Sequence, residues 1–336
     1  MRLSDIGEEG LLAHLFRNHH IANEADGVVI GVGDDAAVLT ADSSGMLTII
    51  TTDMLSERVD YLDETITPYM LGWKSVAVNI SDIAAMGGIP TWTLVSLGFR
   101  PDTDVSYIDE FYRGLIDCTK RFGSQIIGGD MNSVISDNVI SITQLGKVEP
   151  GMLIRRTGAK VGDRILVTGQ LGQSRAGYKL LTRDGLAVSM EKHRAVTEAH
   201  LMPIPRVPEA RSAASTGLIT AMMDLSDGLG SDLPKLCAAS GVGAAVYSDR
   251  LHLSDALLAA VDDLGMNSID LMLSGGEDFE LLMTVAPGNV SAVIDAVQTT
   301  TGTPVTEIGE IVETGIEVVF ADGSRRPITK GWEHFS

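Results

Sequence analysis

VAVNISDIAAMGG, residues 76–88, decides how this chain is read. The stretch is apolar and rich in small residues, yet it holds one carboxylate, Asp82, where a charge has few solvated positions. Asn79 and Asp82 lie three residues apart and so share a helical face. A polar cap followed by proline at the first helical position, Thr67-Pro68, opens the helix. Leu71, Val76, Ile80 and Ile83 supply its core spacing, and Gly87-Gly88 stops it. An acid inside such a helix must be neutralised, hydrogen-bonded or held to a cation, which makes Asp82 a functional candidate.

Five further segments repeat the association of acid and glycine or strand end: GVGDDAAVL (31–39), TTD (51–53), IGGD (127–130), DLSDGL (224–229) and SGGEDFELL (274–282). Asp34-Asp35 sit between two apolar runs, and the alternative to a ligand role is a solvated turn. Asp53 ends a strand in which Thr51 and Thr52 could add oxygen ligands. Asp130 closes a strand, where open α/β sheets often bind ligands. Asp224, Ser226 and Asp227 flank the expected start of a helix. Ser226 could cap that helix or help its N-terminus bind phosphate. Glu277-Asp278 follow a Gly-Gly turn. Carboxylates gathered at turns suit hard cations such as Mg²⁺, which is commonly shared with substrate phosphates. Each signal alone is weak; together they suggest a metal-bridged polyphosphate site assembled from distant segments.

Composition agrees. The 336 residues carry 45 acidic and 25 basic side chains, a formal charge of -20, which repels nucleic acid and anionic membranes. Free nucleotide would be repelled too unless divalent ions intervene. Acidic surfaces also simply keep proteins soluble, but that does not place acids in glycine turns. The two cysteines, Cys118 and Cys237, form no CxxC or Cys/His cluster and read as small core residues in a reducing compartment. MRLSDIGEEGLLAHLF lacks the features of a signal peptide. No apolar run approaches the ~20 residues of a membrane span. The expectation is a soluble, cytoplasmic protein with no nucleic-acid or membrane partner.

The pattern of elements predicts an α/β protein of the α+β kind with mixed sheets. Helices are expected at 5–19, 68–87 and 104–122, and strands at 28–32, 46–52, 92–99, 125–128, 139–148, 164–168, 244–247 and 280–285. The Pro- and Gly-containing basic segment 149–160 is the candidate junction between domains 1–150 and 151–336. Strands and helices alternate without a clean βαβ period, which argues against a Rossmann fold. GVGDDA is a near miss to GxGxxG, and no GxxxxGK[ST], GxSxG or HExxH occurs. The seven histidines are scattered. Trp332 could stack on an aromatic ligand or pack in the core.

GVGDDAAVL, TTDML, VNISDIAAMGG, IGGD, RTGAKVGD, VTGQLG, DLSDGL, SGGEDFELL and the terminal KGWEHF, taken in order, resemble the thiamine-monophosphate kinase family of the PurM-like ATP-binding superfamily. The resemblance runs from about residue 5 to the end. It implies an N-terminal α/β domain that dimerises through its sheet and a C-terminal α/β domain that closes a nucleotide cleft. It further implies ATP-dependent conversion of thiamine monophosphate to thiamine diphosphate. Several Mg²⁺ ions would be held by Asp35, Thr51, Thr52, Asp53, Asp82, Asp130, Asp224 and Asp227. Among these, Asp35, Asp82, Asp130 and Asp227 would be essential to transfer. ATP would contact Tyr112, Gly129-Asp130, Arg156 and Ser226; thiamine would contact Glu277 and Trp332. The nucleophile, a phosphate oxygen with a second pKa of about 6, needs no general base, which fits the missing catalytic His. Direct in-line transfer is expected, driven by positioning and charge neutralisation.

One segment departs from the family. Where it commonly has VEGVHF, with a substrate-contacting His, this chain reads SERVDY (56–61), so Asp60 stands in the His position. A carboxylate there favours a thiazolium cation but repels phosphate. The competing readings are a related ATP-using enzyme with another acceptor, such as aminoimidazole-ribonucleotide synthetase, and a non-catalytic Mg-ATP sensor.

Overall fold

The computed structural model describes residues 3–18, 27–328 and 331. Trp332 and most of the terminal KGWEHFS segment lie outside the described residues. The first half runs α1 (Leu3–Asn18), β1 (Val28–Ile30), β2 (Ala37–Leu39), β3 (Leu47–Ser56), α2 (Pro68–Ala85), β4 (Ile89–Phe99), α3 (Val105–Phe122), β5 (Gln125–Ser133) and β6 (Val139–Val148). The second runs β7 (Arg164–Thr168), α4 (Gln173–Asp184), α5 (Leu186–Lys192), α6 (Arg194–Leu201), α7 (Val207–Ser215), β8 (Ile219–Asp224), α8 (Leu229–Ser240), β9 (Gly243–Tyr247), α9 (Asp255–Leu264), α10 (Ser268–Ser274), β10 (Leu281–Val285), α11 (Val290–Thr301), β11 (Val305–Val312), β12 (Ile316–Val319) and β13 (Arg325–Pro327).

Both sheets are mixed, as the element pattern predicts. The first has the order β1-β2-β3-β6-β4-β5, antiparallel except for β4 with β5. The second has the order β13-β12-β9-β11-β7-β10-β8, antiparallel except for β9 with β12. β6 alternates inward and outward along its whole length, one face on the helices and one open.

α2 is the centre of the molecule. Thr67 caps it by accepting the N–H of Met70, and Pro68 opens it. From Leu71 to Gly88 every residue is buried except Asp82. One side packs on β3, β4 and β6, another on α3, and its C-terminal end on α7 and β8. The halves interlock there. Leu181 and Leu201, from the second half, complete the core around Leu71, Val76 and Phe111, while Ala84 enters the core of the second half. Trp73 Nε1 donates to the Pro203 carbonyl at 2.9 Å.

α2 and α3 come unusually close because each presents a glycine to the other. A Cβ on Gly72 would sit 2.0 Å from the Phe111 carbonyl oxygen, and one on Gly114 would sit 1.9 Å from that of Tyr69. Gly72→Ala or Gly114→Ala should therefore destabilise the protein by about 1–3 kcal/mol through overpacking. The measurement is the denaturant midpoint at constant m-value; an unchanged midpoint in both variants would contradict this contact.

Candidate functional site

The acids meet in the seam between the halves. β3 delivers Thr51 and Asp53 toward α2, while Thr52, between them, turns to the open face and donates to the Ile142 carbonyl at 3.0 Å. Thr51 Oγ1 donates to Asp82 Oδ2 at 2.6 Å, and the Asp53 N–H donates to Asn79 Oδ1 at 2.9 Å. At the end of β8, Asp224 Oδ2 accepts from Ser81 Oγ at 2.5 Å. The helix thus touches acids from both sheets through Asn79, Ser81 and Asp82.

Burial pushes the carboxyl groups of Asp82 and Asp224 well above the ordinary range. Asp53 reinforces the shift at Asp82, and Asp35 reinforces it at Asp224. Asp53 is raised to about 6 by burial, with Asp227 and Asp60 adding repulsion. Two cations offset part of this charge. Arg156 pairs with Asp35 through its guanidinium and donates its backbone N–H to Asp34 Oδ1 at 3.1 Å. Lys235 Nζ lies 2.5 Å from Asp227 and 2.9 Å from the buried Asp232. Among the described residues, Asp35 Oδ2 is buried without a hydrogen-bond partner.

The start of α8 differs from the sequence expectation. Ser226 does not cap the helix; Gly228 occupies the cap position at φ 94°, with no side-chain bond to the helix. Asp232, inside the first turn, instead accepts the Asp227 N–H at 2.9 Å. Gly228 is required by a close approach, since a Cβ there would lie 2.4 Å from the Gly275 carbonyl oxygen. That approach lets the two Gly-acid motifs of the second half bind each other. The Glu277 N–H donates to the Ser226 carbonyl at 2.6 Å, and the Phe279 N–H to that of Leu225 at 2.9 Å. Glu277 and Phe279 hold positive φ values of 64° and 50°. Asp278 is drawn inward and accepts the N–H groups of Gly172 and Ser174 at the start of α4. Burial raises its carboxyl to about 8.

These segments enclose a cavity of about 350 Å³. Asp53, Asp60, Asp82, Ser226 and Asp227 contribute its acidic wall, and Ser174, Arg175, Tyr178, His200 and Glu277 line it as well. Asp60 belongs to this lining and accepts the Ser56 N–H at 2.7 Å. Tyr112, Gly129 and Asp130 are not part of the lining. Tyr112 is half-buried on α3, edge-on to Phe111 at 6.1 Å, while Gly129 and Asp130 are exposed on β5, the edge strand. Lys74, Arg175, Tyr178, His200, Asp232 and Lys235 were not singled out by the sequence reading. Only Lys74, a cation inside the apolar helix sequence, carried a detectable signal. Among the described residues, no three acid, cysteine or imidazole side chains are already arranged to hold a metal ion. The unpartnered Asp35 oxygen and the mutually raised carboxyls are nevertheless the donor chemistry that a divalent cation requires.

The two-domain mixed α/β architecture is that of the AIR synthase related proteins. The model for their N-terminal domain matches residues 33–148, and that for their C-terminal domain matches residues 160–322. The thiamine-monophosphate kinase of Aquifex aeolicus is 35% identical over 100% of both chains, and that of Salmonella typhimurium is 36% identical over 98% of each. A solved structure described as AaThiL complexed with AMPPCP and TMP superposes with a TM-score of 0.82 at 33% identity, covering 99% of each chain. The chain belongs to the AIR synthase related family and, within it, to the thiamine-monophosphate kinases.

Asp53 gives the site a pH signature. Its folded-state pKa of about 6 exceeds the ordinary 3.8, so folding favours the protonated carboxyl. Its contribution to stability is present at low pH and is lost as pH rises from about 4 through about 6. Asp53→Asn, permanently neutral, should gain stability relative to the wild type across that window in the presence of a chelator. Parallel melting-temperature curves would refute the buried state of Asp53.

Proposed function

We infer that the protein transfers a phosphoryl group from ATP to thiamine monophosphate, yielding thiamine diphosphate and ADP. The observation that carries this reading is the cavity between the halves. Asp53 faces the charges of Asp82 and Asp227 in it, while Tyr178, His200 and Glu277 group together on its lining. A ligand with a phosphate at one end and a cationic heteroaromatic body at the other matches that division. Asp60 and Glu277 suit the cationic body, and Tyr178 offers it a ring face.

Asp35, Asp53, Asp82, Asp224 and Asp227 would hold Mg²⁺. The partnerless Asp35 oxygen and the raised carboxyls of Asp82 and Asp224 support this assignment. Bound divalent ions would supply charge neutralisation between phosphates and carboxylates. The side chain of Thr52 faces away from this group, whereas Thr51 contributes by fixing Asp82. Arg156 already lies against Asp34 and Asp35 and offers a guanidinium to a phosphate. The acceptor phosphate carries its own nucleophilic oxygen, so the residues need only align it and screen its charge.

The proposal includes a pair of chains meeting along β5. That strand is an unpaired sheet edge whose neighbourhood exposes Trp92, Leu94, Ile127 and Met131. Gly129 and Asp130 would then belong to the shared surface, with Tyr112 on the adjoining helix. Cytoplasmic residence accords with the two free, buried cysteines.

The test is turnover with Mg-ATP and thiamine monophosphate, following ADP and thiamine diphosphate together. Equal amounts of both should form and vanish on chelation. Asp82→Asn should lower kcat at least about a hundredfold, as expected on losing a group that organises charge at the transferring phosphate, with the melting profile retained. ADP release without thiamine diphosphate would indicate a different acceptor; Mg-ATP binding without turnover would indicate a sensor. Light scattering should give twice the chain mass for the wild type and a lower mass for Ile127→Lys. A monomeric wild type would exclude the pairing.

A further inference from the structure

Lys74 takes no part in the chemistry above, yet its side chain is only 1% exposed. A buried ammonium is tolerated only with a close partner. That partner is Glu277 Oε1, 2.8 Å away on the other half of the molecule. The second carboxylate oxygen, Oε2, lies 3.2 Å from His200 Nδ1, which is also 3.0 Å from the buried Ser174 Oγ. Burial, with help from Lys74 and Arg175, holds the His200 imidazole well below its ordinary pKa. His200 Nδ1 thus sits between the Glu277 carboxylate and the Ser174 hydroxyl. Tyr178 covers the imidazole at 5.5 Å between ring centroids. Two separate elements, α2 and α6, converge on one carboxylate carried by the turn after α10.

Lys74, Val78 and Asp82 are spaced four apart and lie along one face of α2. Val78, Asp82 and Glu277 all line the cavity. Eight residues of helix rise about 12 Å. One rigid helix thus holds Asp82 in the acid cluster and, about 12 Å back along its axis, the cation that grips Glu277. Each Glu277 oxygen keeps acceptor capacity beyond its one partner, and its side chain remains 31% exposed toward the cavity. The backbone of Glu277, bonded to Ser226, cannot relax without disturbing the acid motif 224–229.

We propose that Lys74, assisted by His200, is a positioning residue for acceptor recognition: it fixes the Glu277 carboxylate at a set distance from Asp82, so that a ligand body seated on Glu277 presents its phosphate to the acid cluster. The proposal rests on the kinase reading given above. A purely structural ion pair would stabilise the fold without favouring one substrate over the other.

The experiment compares wild type, Lys74→Met, Glu277→Gln and the double variant by steady-state kinetics with Mg-ATP and thiamine monophosphate. Lys74→Met should raise KM for thiamine monophosphate at least about tenfold, with kcat and KM for ATP within about threefold. Because Lys74 acts through Glu277, the double variant should be within about threefold of Glu277→Gln alone. Losses that multiply, or that fall equally on kcat and KM for ATP, overturn the proposal. Should Lys74→Met fail to fold, His200→Asn carries the same prediction and the same refutation. A ligand-independent readout separates the two readings. In ¹⁵N NMR of the protein alone, the His200 imidazole midpoint should move up in Lys74→Met. An unmoved midpoint refutes the cluster whatever the turnover; a responding midpoint in a protein that never phosphorylates thiamine monophosphate refutes the kinase reading, and the acceptor role with it.

Discussion

Desolvated negative charge is the constraint on which the rest of the molecule depends. From Leu71 onward α2 is buried on every side, and its one partly open residue there is an acid. Around Asp82 the fold gathers Asp53 from one sheet and Asp224 from the other; beyond burial, both favour the protonated form of Asp82, and Asp53 also that of Asp224. Close-packed apolar residues could have filled the seam more cheaply, since buried charge seldom adds net stability. The arrangement makes sense as a site whose remaining neutralisation arrives with a ligand.

What the chain itself contributes is partial compensation. Thr51 and Ser81 each donate a hydroxyl to a carboxylate, Asn79 fixes the backbone of Asp53, and Arg156 and Lys235 pair with Asp35 and Asp227. One Asp35 oxygen still lacks a partner. Charge-assisted bonds of this kind are strong where water is excluded, so the cluster is preorganised rather than merely crowded. The backbone bonds between the 224–229 and 274–282 motifs make the acid wall and the Glu277 wall one mechanical unit.

The fold alone does not specify this chemistry. Hydrogenase maturation proteins superpose with TM-scores of 0.68–0.71 at only 16–17% identity, a likeness of architecture only. What distinguishes a site is its lining. Here Tyr178, His200 and Glu277 group together on the wall, with Asp60 between them and the acid cluster, and differences among relatives in acceptor handling are expected to reside there.

Asp60 was reached only through the family resemblance; the sequence by itself determined the helix around Asp82, with its Thr-Pro start and Gly-Gly stop, the mixed character of the sheets, and the acid–glycine motifs whose Asp53, Asp82, Asp227 and Glu277 line one cavity in the structure. These were legible because helical period, capping and glycine turns are local rules. Of the two readings of Ser226 the cap fails: propensity favours serine at a helix cap, but the cap position falls on Gly228, where the Gly275 backbone crosses so close that only glycine fits. Asp130 and Gly129 read like their neighbours in sequence, yet they sit on an exposed edge strand outside this cavity. Lys74 reaches Glu277 across a gap of 203 residues (277 − 74), His200 meets it from another helix, and Ser174 meets His200; no local pattern marks such a set. Only tertiary structure decided them, because pairing a buried charge depends on which side chains the packed halves bring within hydrogen-bond distance, and that distance is set by the whole fold.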